Sequence, residues 1–139
     1  EMCSESRLSS FSTQGLANSL WACARMQLEH EVVLRFCRAV AREVTDERLS
    51  LFMPQELSMA VWAVAKLVGR AVRRGGNAGR QSKRRRACDV EDFVLAATQE
   101  ASRRVDHFSP QGLSNIAWGL VTLELTKHEC VRRFLITAA

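Results

Sequence analysis

Between Phe11 and Leu28 the apolar residues recur three and four apart. At about 100° per residue, Leu16, Ala17, Leu20, Trp21, Ala24 and Leu28 fall within one sector roughly 140° wide. No Gly or Pro interrupts the series after Gly15, so the pattern predicts an amphipathic helix with one core-facing stripe. Ser12 stands before it as an N-cap. The same pattern returns twice: FSTQGLANSLWAC at 11–23 is followed by FMPQELSMAVWAV at 52–64 and FSPQGLSNIAWGL at 108–120. Ser109 is again an N-cap, and Pro54 and Pro110 fall at first helical positions, where a missing N–H costs nothing.

Aligned on tryptophan, the copies share Arg7/Arg48/Arg104, Phe11/Phe52/Phe108, Gln14/Gln55/Gln111, Leu16/Leu57/Leu113 and Trp21/Trp62/Trp118. A second apolar series follows each, as in HEVVLRFCRAVAREV at 30–44 and HECVRRFL at 128–135, with Phe36, Phe93 and Phe134 one per copy. Two helices joined by a short connection make an antiparallel hairpin, and a hairpin that cannot bury its own apolar face stacks on its neighbours. The predicted fold is therefore all-α: a solenoid of three stacked antiparallel helical hairpins, with repeat one at 7–47, repeat two at 48–103 and repeat three at 104–139. Both ends read as ordinary repeats rather than polar caps, so a portion of a longer array is expected. The shared Phe, Leu and Trp are assigned to the repeat core, with Trp first a packing residue.

Spacing locates one irregularity. Trp21 to Trp62 is 41 residues but Trp62 to Trp118 is 56, and the excess lies between Trp62 and Phe93. There the segment RRGGNAGRQSKRRR at 73–86 carries seven positive charges and no negative one. Against a net charge of +5 for the chain, the remainder sums to 5 − 7 = −2, so the basic surplus is local. A Gly-containing, aromatic-free segment of this kind predicts a flexible basic loop over 70–87. Arg73, Arg74, Arg80, Lys83, Arg84, Arg85 and Arg86 would then meet phosphates in a salt-sensitive, sequence-blind way. A solvated loop without a partner is the alternative, and KRRR also matches a nuclear import signal.

A second candidate surface comes from helix geometry. Gln14, Asn18 and Arg25 lie together at the edge of the apolar stripe, and their equivalents are Gln55, Met59 and Lys66, then Gln111, Asn115 and Thr122. Stacking aligns these rows into a ribbon. The amides offer donors and acceptors for base edges, while Arg25 and Lys66 suit phosphates. Equally, a first-turn Gln can satisfy orphan backbone amides, and Asn18 can bond between repeats.

No catalytic constellation emerges. His30, His107 and His128 form no cluster with Cys or carboxylates, and no HExxH, phosphate-binding loop or nucleophile elbow is present. Asp89, Glu91 and Asp92 read as dipole-stabilising acids at a helix start. Cys3, Cys23, Cys37, Cys88 and Cys130, an odd number with no CxxC, read as reduced thiols. No apolar run suits a membrane span, and the first residues resemble neither a signal peptide nor an organellar presequence. An enzyme, a metal, a cofactor, a small-molecule substrate and a membrane are not expected.

The motif PQxLSNxxWxLxxL, carried by Pro110, Gln111, Leu113, Ser114, Asn115, Trp118 and Leu123, with Gln14, Leu16, Asn18, Trp21, Ala22 and Ala24 in the first copy, resembles the octotricopeptide and heptatricopeptide class of helical repeats. Related repeats occur in RAP-domain and FAST-kinase-like proteins. The period here is longer than that family's unit, Met59 stands where the other copies have Asn, and no RAP domain follows within these residues. The resemblance implies organellar RNA binding, with a mitochondrial ribosome component or assembly factor contacting ribosomal RNA and neighbouring proteins as the leading expectation, and plastid or nucleus as alternative locations. An armadillo or HEAT-like protein-binding scaffold, whose period also accommodates 41 residues, is the rival.

Overall fold

A computed structural model describes residues 7–28, 30–74 and 80–139, with side chains described outside 71–88. Among these residues the chain is all-helical. The helices are α1 (Thr13–Arg25), α2 (Glu31–Glu43), the short α3 (Asp46–Leu49), α4 (Pro54–Arg74), α5 (Arg80–Arg103), α6 (Pro110–Thr122) and α7 (Glu129–Ala138), with a 3₁₀ turn at Val105–His107 before α6.

The helix starts form as their sequences dictate. The Ser12 hydroxyl accepts from the Gly15 N–H at 3.0 Å, and the Ser109 hydroxyl from the Gly112 N–H at 3.1 Å. In the second copy Glu56 takes that role. Its carboxylate accepts from the Met53 N–H at 2.9 Å and from the Thr13 hydroxyl of α1 at 2.9 Å, so one side chain caps α4 and links two copies. The ends of α1 and α6 are matched as well. Gln27 and Glu124, each six residues past its tryptophan, adopt positive φ of 54° and 58°. Leu28 N–H then reaches the Cys23 carbonyl and Leu125 N–H the Leu120 carbonyl, which closes a Schellman motif in both. The equivalent residue of copy two is Val68, a β-branched residue for which that conformation is strongly disfavoured, and α4 runs on to Arg74.

This continuation corrects the basic loop expected over 70–87. Residues 70–74 extend α4 and residues 80–87 open α5, so Arg73, Arg74, Arg80, Lys83, Arg84, Arg85 and Arg86 lie on helical backbone; residues 75–79 fall outside the described set. Arg, Lys, Gln and Ala are strong helix formers, and an interior without Gly or Pro lets the run RQSKRRRA propagate despite its charge. Asp89, Glu91 and Asp92 consequently sit well inside α5 and not at its start.

The helices pack in two rows. The first helices of the copies lie side by side as α1, α4, α6, and the second helices as α2, α5, α7. Leu16, Leu20, Val40, Leu57, Val61, Val64, Val90, Ile116, Leu120 and Phe134 fill one core between the rows. α4 and α6 approach closely because glycine faces them: a Cβ on Gly119 would stand 3.0 Å from Val61 Cγ1, and one on Gly69 2.9 Å from Thr122 Cγ2.

The repeated positions are not equally buried. Leu16, Leu57, Phe52 and Phe108 are in the core as expected, and Leu113 and Trp62 are half-buried against it. Phe11, Trp21 and Trp118 depart from the core assignment, with Trp21 42% and Trp118 44% exposed. Position in the row explains the tryptophans: α4 is flanked on both sides, whereas α1 and α6 each have one neighbour in the row.

One arrangement recurs between copies. Arg48 donates to the carbonyls of Leu8 (3.1 Å) and Phe11 (2.6 Å), and Arg104 to those of Leu49 (3.4 Å) and Phe52 (2.8 Å). Each guanidinium is paired with an acid from the preceding helix, Glu43 for Arg48 and Glu100 for Arg104.

Candidate nucleic-acid interface

Seen along the first row, the amide-bearing positions converge. Gln14 and Asn18 of α1, Gln55 and Met59 of α4, and Gln111 and Asn115 of α6 line one groove of about 810 Å³, whose walls come only from these helices and the chain entering α4 and α6. Stacking thus brings together five of the proposed base-reading residues, supplied by all three copies. Gln111 donates from Nε2 to the Asn115 Oδ1 at 3.0 Å, an i, i+4 bond on the exposed face of α6.

The capping role that competes for the repeated Gln is filled by other residues. Ser12, Glu56 and Ser109 accept the first-turn N–H groups, while Gln14, Gln55 and Gln111 are exposed. Of the two ionisable groups lining the groove, Glu56 and His107, the Glu56 carboxylate is occupied by Met53 and Thr13. The wall is accordingly rich in neutral amides, a surface suited to base edges or peptide groups more than to phosphate.

Charge enters beside the groove, where the tryptophans lie. Lys66 places its ammonium 4.7 Å from the Trp62 ring centroid, and the Arg25 guanidinium lies 5.6 Å from that of Trp21. Trp62 and Trp118 approach with centroids 6.2 Å apart and planes tilted by 39°. Arg25 and Lys66 therefore flank the groove rather than line it, and Thr122 sits half-buried beside Gly69, away from the polar row. On α4 the positions 55, 59, 62, 66, 70 and 73 fall within a sector of about 80°, so the backbone sites of Arg70 and Arg73 continue the stripe begun by Gln55.

The tryptophan ridge is the feature that sequence reasoning missed. The repeated Trp was assigned first to packing, yet Trp118 offers a half-exposed ring next to Trp62. The available signal was angular: each Trp lies at the border of the apolar sector, adjacent to the Gln and Asn positions.

No group of three or more His, Cys, Asp or Glu able to hold a metal occurs among the described residues. Cys23, Cys37 and Cys130 are free thiols, and burial, with the neighbouring Cys23, pushes the Cys37 thiol up from 9.0 to about 12, so it is a poor nucleophile. No described helix is long and apolar enough to cross a membrane. In comparisons with known proteins, no family model, no curated protein and no solved structure matches this chain.

Proposed function

We propose that this chain is a non-enzymatic RNA-binding solenoid of three helical hairpins, whose first-row helices hold single-stranded or looped RNA across the Gln and Asn groove. The observation that carries this reading is the convergence of three polar rows in one groove, bordered by the Trp62–Trp118 ridge and the Lys66 and Arg25 cations. Amides address base edges, a half-exposed indole stacks on a base, and flanking cations meet the backbone. The basic residues at 73–74 and 80–86, on helical backbone, add sequence-independent attraction. Resemblance to octotricopeptide and heptatricopeptide repeats favours an organellar setting, with the mitochondrial ribosome and its ribosomal RNA as the leading assignment.

The direct test is a binding titration of the 139-residue chain with fluorescent single-stranded RNA, repeated with duplex RNA and over a salt series. Tighter binding to the single strand, with affinity falling as salt rises, is expected. Absence of RNA binding at low salt, with retained protein partners, would leave the protein-binding scaffold as the better account.

A further inference from the structure

Copy two lengthens both of its helices by the same amount. α1 and α6 end four residues past their tryptophans, at Arg25 and Thr122, whereas α4 ends twelve past Trp62, at Arg74. α2 and α7 begin five residues before their phenylalanines, at Glu31 and Glu129, whereas α5 begins thirteen before Phe93, at Arg80. Each arm therefore gains eight residues, about 12 Å of helix. α4 and α5 are in contact, and the core they share reaches Leu67 and Gly69 on one arm and Val90 on the other. Gly69 stands beside Thr122, the last residue of α6, so the added turns of α4 run past the end of its neighbour in the row. Together the two extensions make a helical spur.

The spur is basic without relief. Residues 67–74 carry Arg70, Arg73 and Arg74, residues 80–87 carry Arg80, Lys83, Arg84, Arg85 and Arg86, and the sequence has no Asp or Glu between Glu56 and Asp89. α2 and α7 each open on a glutamate that suits the positive end of a helix, while α5 has no acid in its first turn. Arg80 and Arg84, and Lys83 and Arg86, stand at the four- and three-residue spacings at which like charges repel along a helix. A polyanion laid against the spur relieves that repulsion.

The pattern selects among polyanions. Residues 80–87 contain only one apolar residue, Ala87, so this arm has no apolar face to sink into a membrane. No aromatic residue lies between Trp62 and Phe93, so the spur has no ring on which an unpaired base could stack. The five cations of α5 spread over about 260° around the helix. A single backbone track on one face meets only some of them, whereas the two phosphate strands of a duplex flank a helix on both sides.

We propose that the spur, residues 70–74 of α4 with 80–87 of α5, is a second RNA site that binds duplex RNA through its phosphates, independently of sequence. It rests on the RNA reading of the groove for the class of polyanion: the groove takes an unpaired segment and the spur a flanking stem. The stripe on α4 from Gln55 to Arg73, about 27 Å of helix, joins the two.

Titrations of the whole chain with a single-stranded RNA and a blunt RNA duplex, each over a salt series, test this. The spur variant carries Lys83→Gln, Arg84→Gln, Arg85→Gln and Arg86→Gln, which keep helix preference, and its fold is checked by circular dichroism. The groove variant carries Gln111→Ala and Asn115→Ala. The wild type is expected to bind the duplex, and the spur variant to lose about tenfold or more of that affinity at low salt, with its log–log salt slope flatter by up to about 3.6. Its affinity for the single strand should change by no more than about threefold, and the groove variant should keep duplex binding. A wild type that binds duplex but not single strand would sink the groove reading and leave the spur standing. A wild type that binds no duplex, a spur variant that loses both RNAs equally, or displacement of the duplex by poly-glutamate as readily as by duplex RNA would overturn the proposal.

Discussion

The Arg48 guanidinium donates to the Phe11 carbonyl at 2.6 Å, across 37 residues of sequence. Arg104 repeats the bond to Phe52 at 2.8 Å across 52 residues, the difference being the fifteen-residue insertion. Both are charge-assisted, the Arg104 bond is partly buried, and Arg104 also holds Glu100, which is largely enclosed. Replacing Arg104 by Met should destabilise by about 1.5–3 kcal/mol, since it removes two carbonyl bonds and loosens an enclosed carboxylate. Urea unfolding with an unchanged m-value checks this. Arg104→Lys should rescue little, because an ammonium lacks the planar fork that spans two carbonyls and a carboxylate.

Gln27 and Glu124 close their Schellman motifs in a conformation that costs a side-chain-bearing residue energy. Gln27→Gly and Glu124→Gly are each expected to stabilise the chain by about 0.5–1 kcal/mol, read as a rise in thermal midpoint. Val68→Gly within α4 should instead destabilise, since the helix passes straight through that position.

Cys37 links stability to pH. Its thiol is held protonated in the folded chain up to about pH 12 but ionises near 9.0 when unfolded. Between these values the unfolded state binds fewer protons, so stability falls as pH rises, by up to about 1.4 kcal/mol per unit. Below pH 9 this contribution is constant. Comparing urea midpoints of wild type and Cys37→Ala at pH 8 and pH 10 should show the wild type losing more over that step.

Much of the architecture was legible because it is periodic. The stripe Leu16, Ala17, Leu20, Ala24 and the caps Ser12 and Ser109 are local features, and the structure places them as expected. The Gln and Asn rows converge because register within a helix fixes their angles and stacking repeats them. Two things escaped. The shared Arg of each copy marked a conserved spacing within the chain, but its partner is a backbone carbonyl of the preceding copy, which has no side-chain identity to read. Residues 70–74 and 80–87 were mistaken for loop because charge and the neighbouring glycines of the sequence outweighed the helix preference of their Arg, Lys and Gln residues.

Salt and stacking should separate within the interface. Lys66→Glu is expected to weaken RNA binding most at low salt and to flatten the salt dependence, because it reverses the charge proposed to meet phosphate beside Trp62. Trp118→Ala should weaken binding by about 1–3 kcal/mol at every salt concentration, as loss of a stacking ring does. Trp118 is half-exposed, so the variant should remain folded by circular dichroism.

Ultraviolet crosslinking of the RNA-bound chain, with crosslinked residues located by mass spectrometry, addresses the central claim most directly. Attachment at the first-row face, on peptides carrying Gln55 to Lys66 and Gln111 to Trp118, is the predicted result. Crosslinks confined to the second-row helices α2 and α7, or none from any first-row helix, would contradict it.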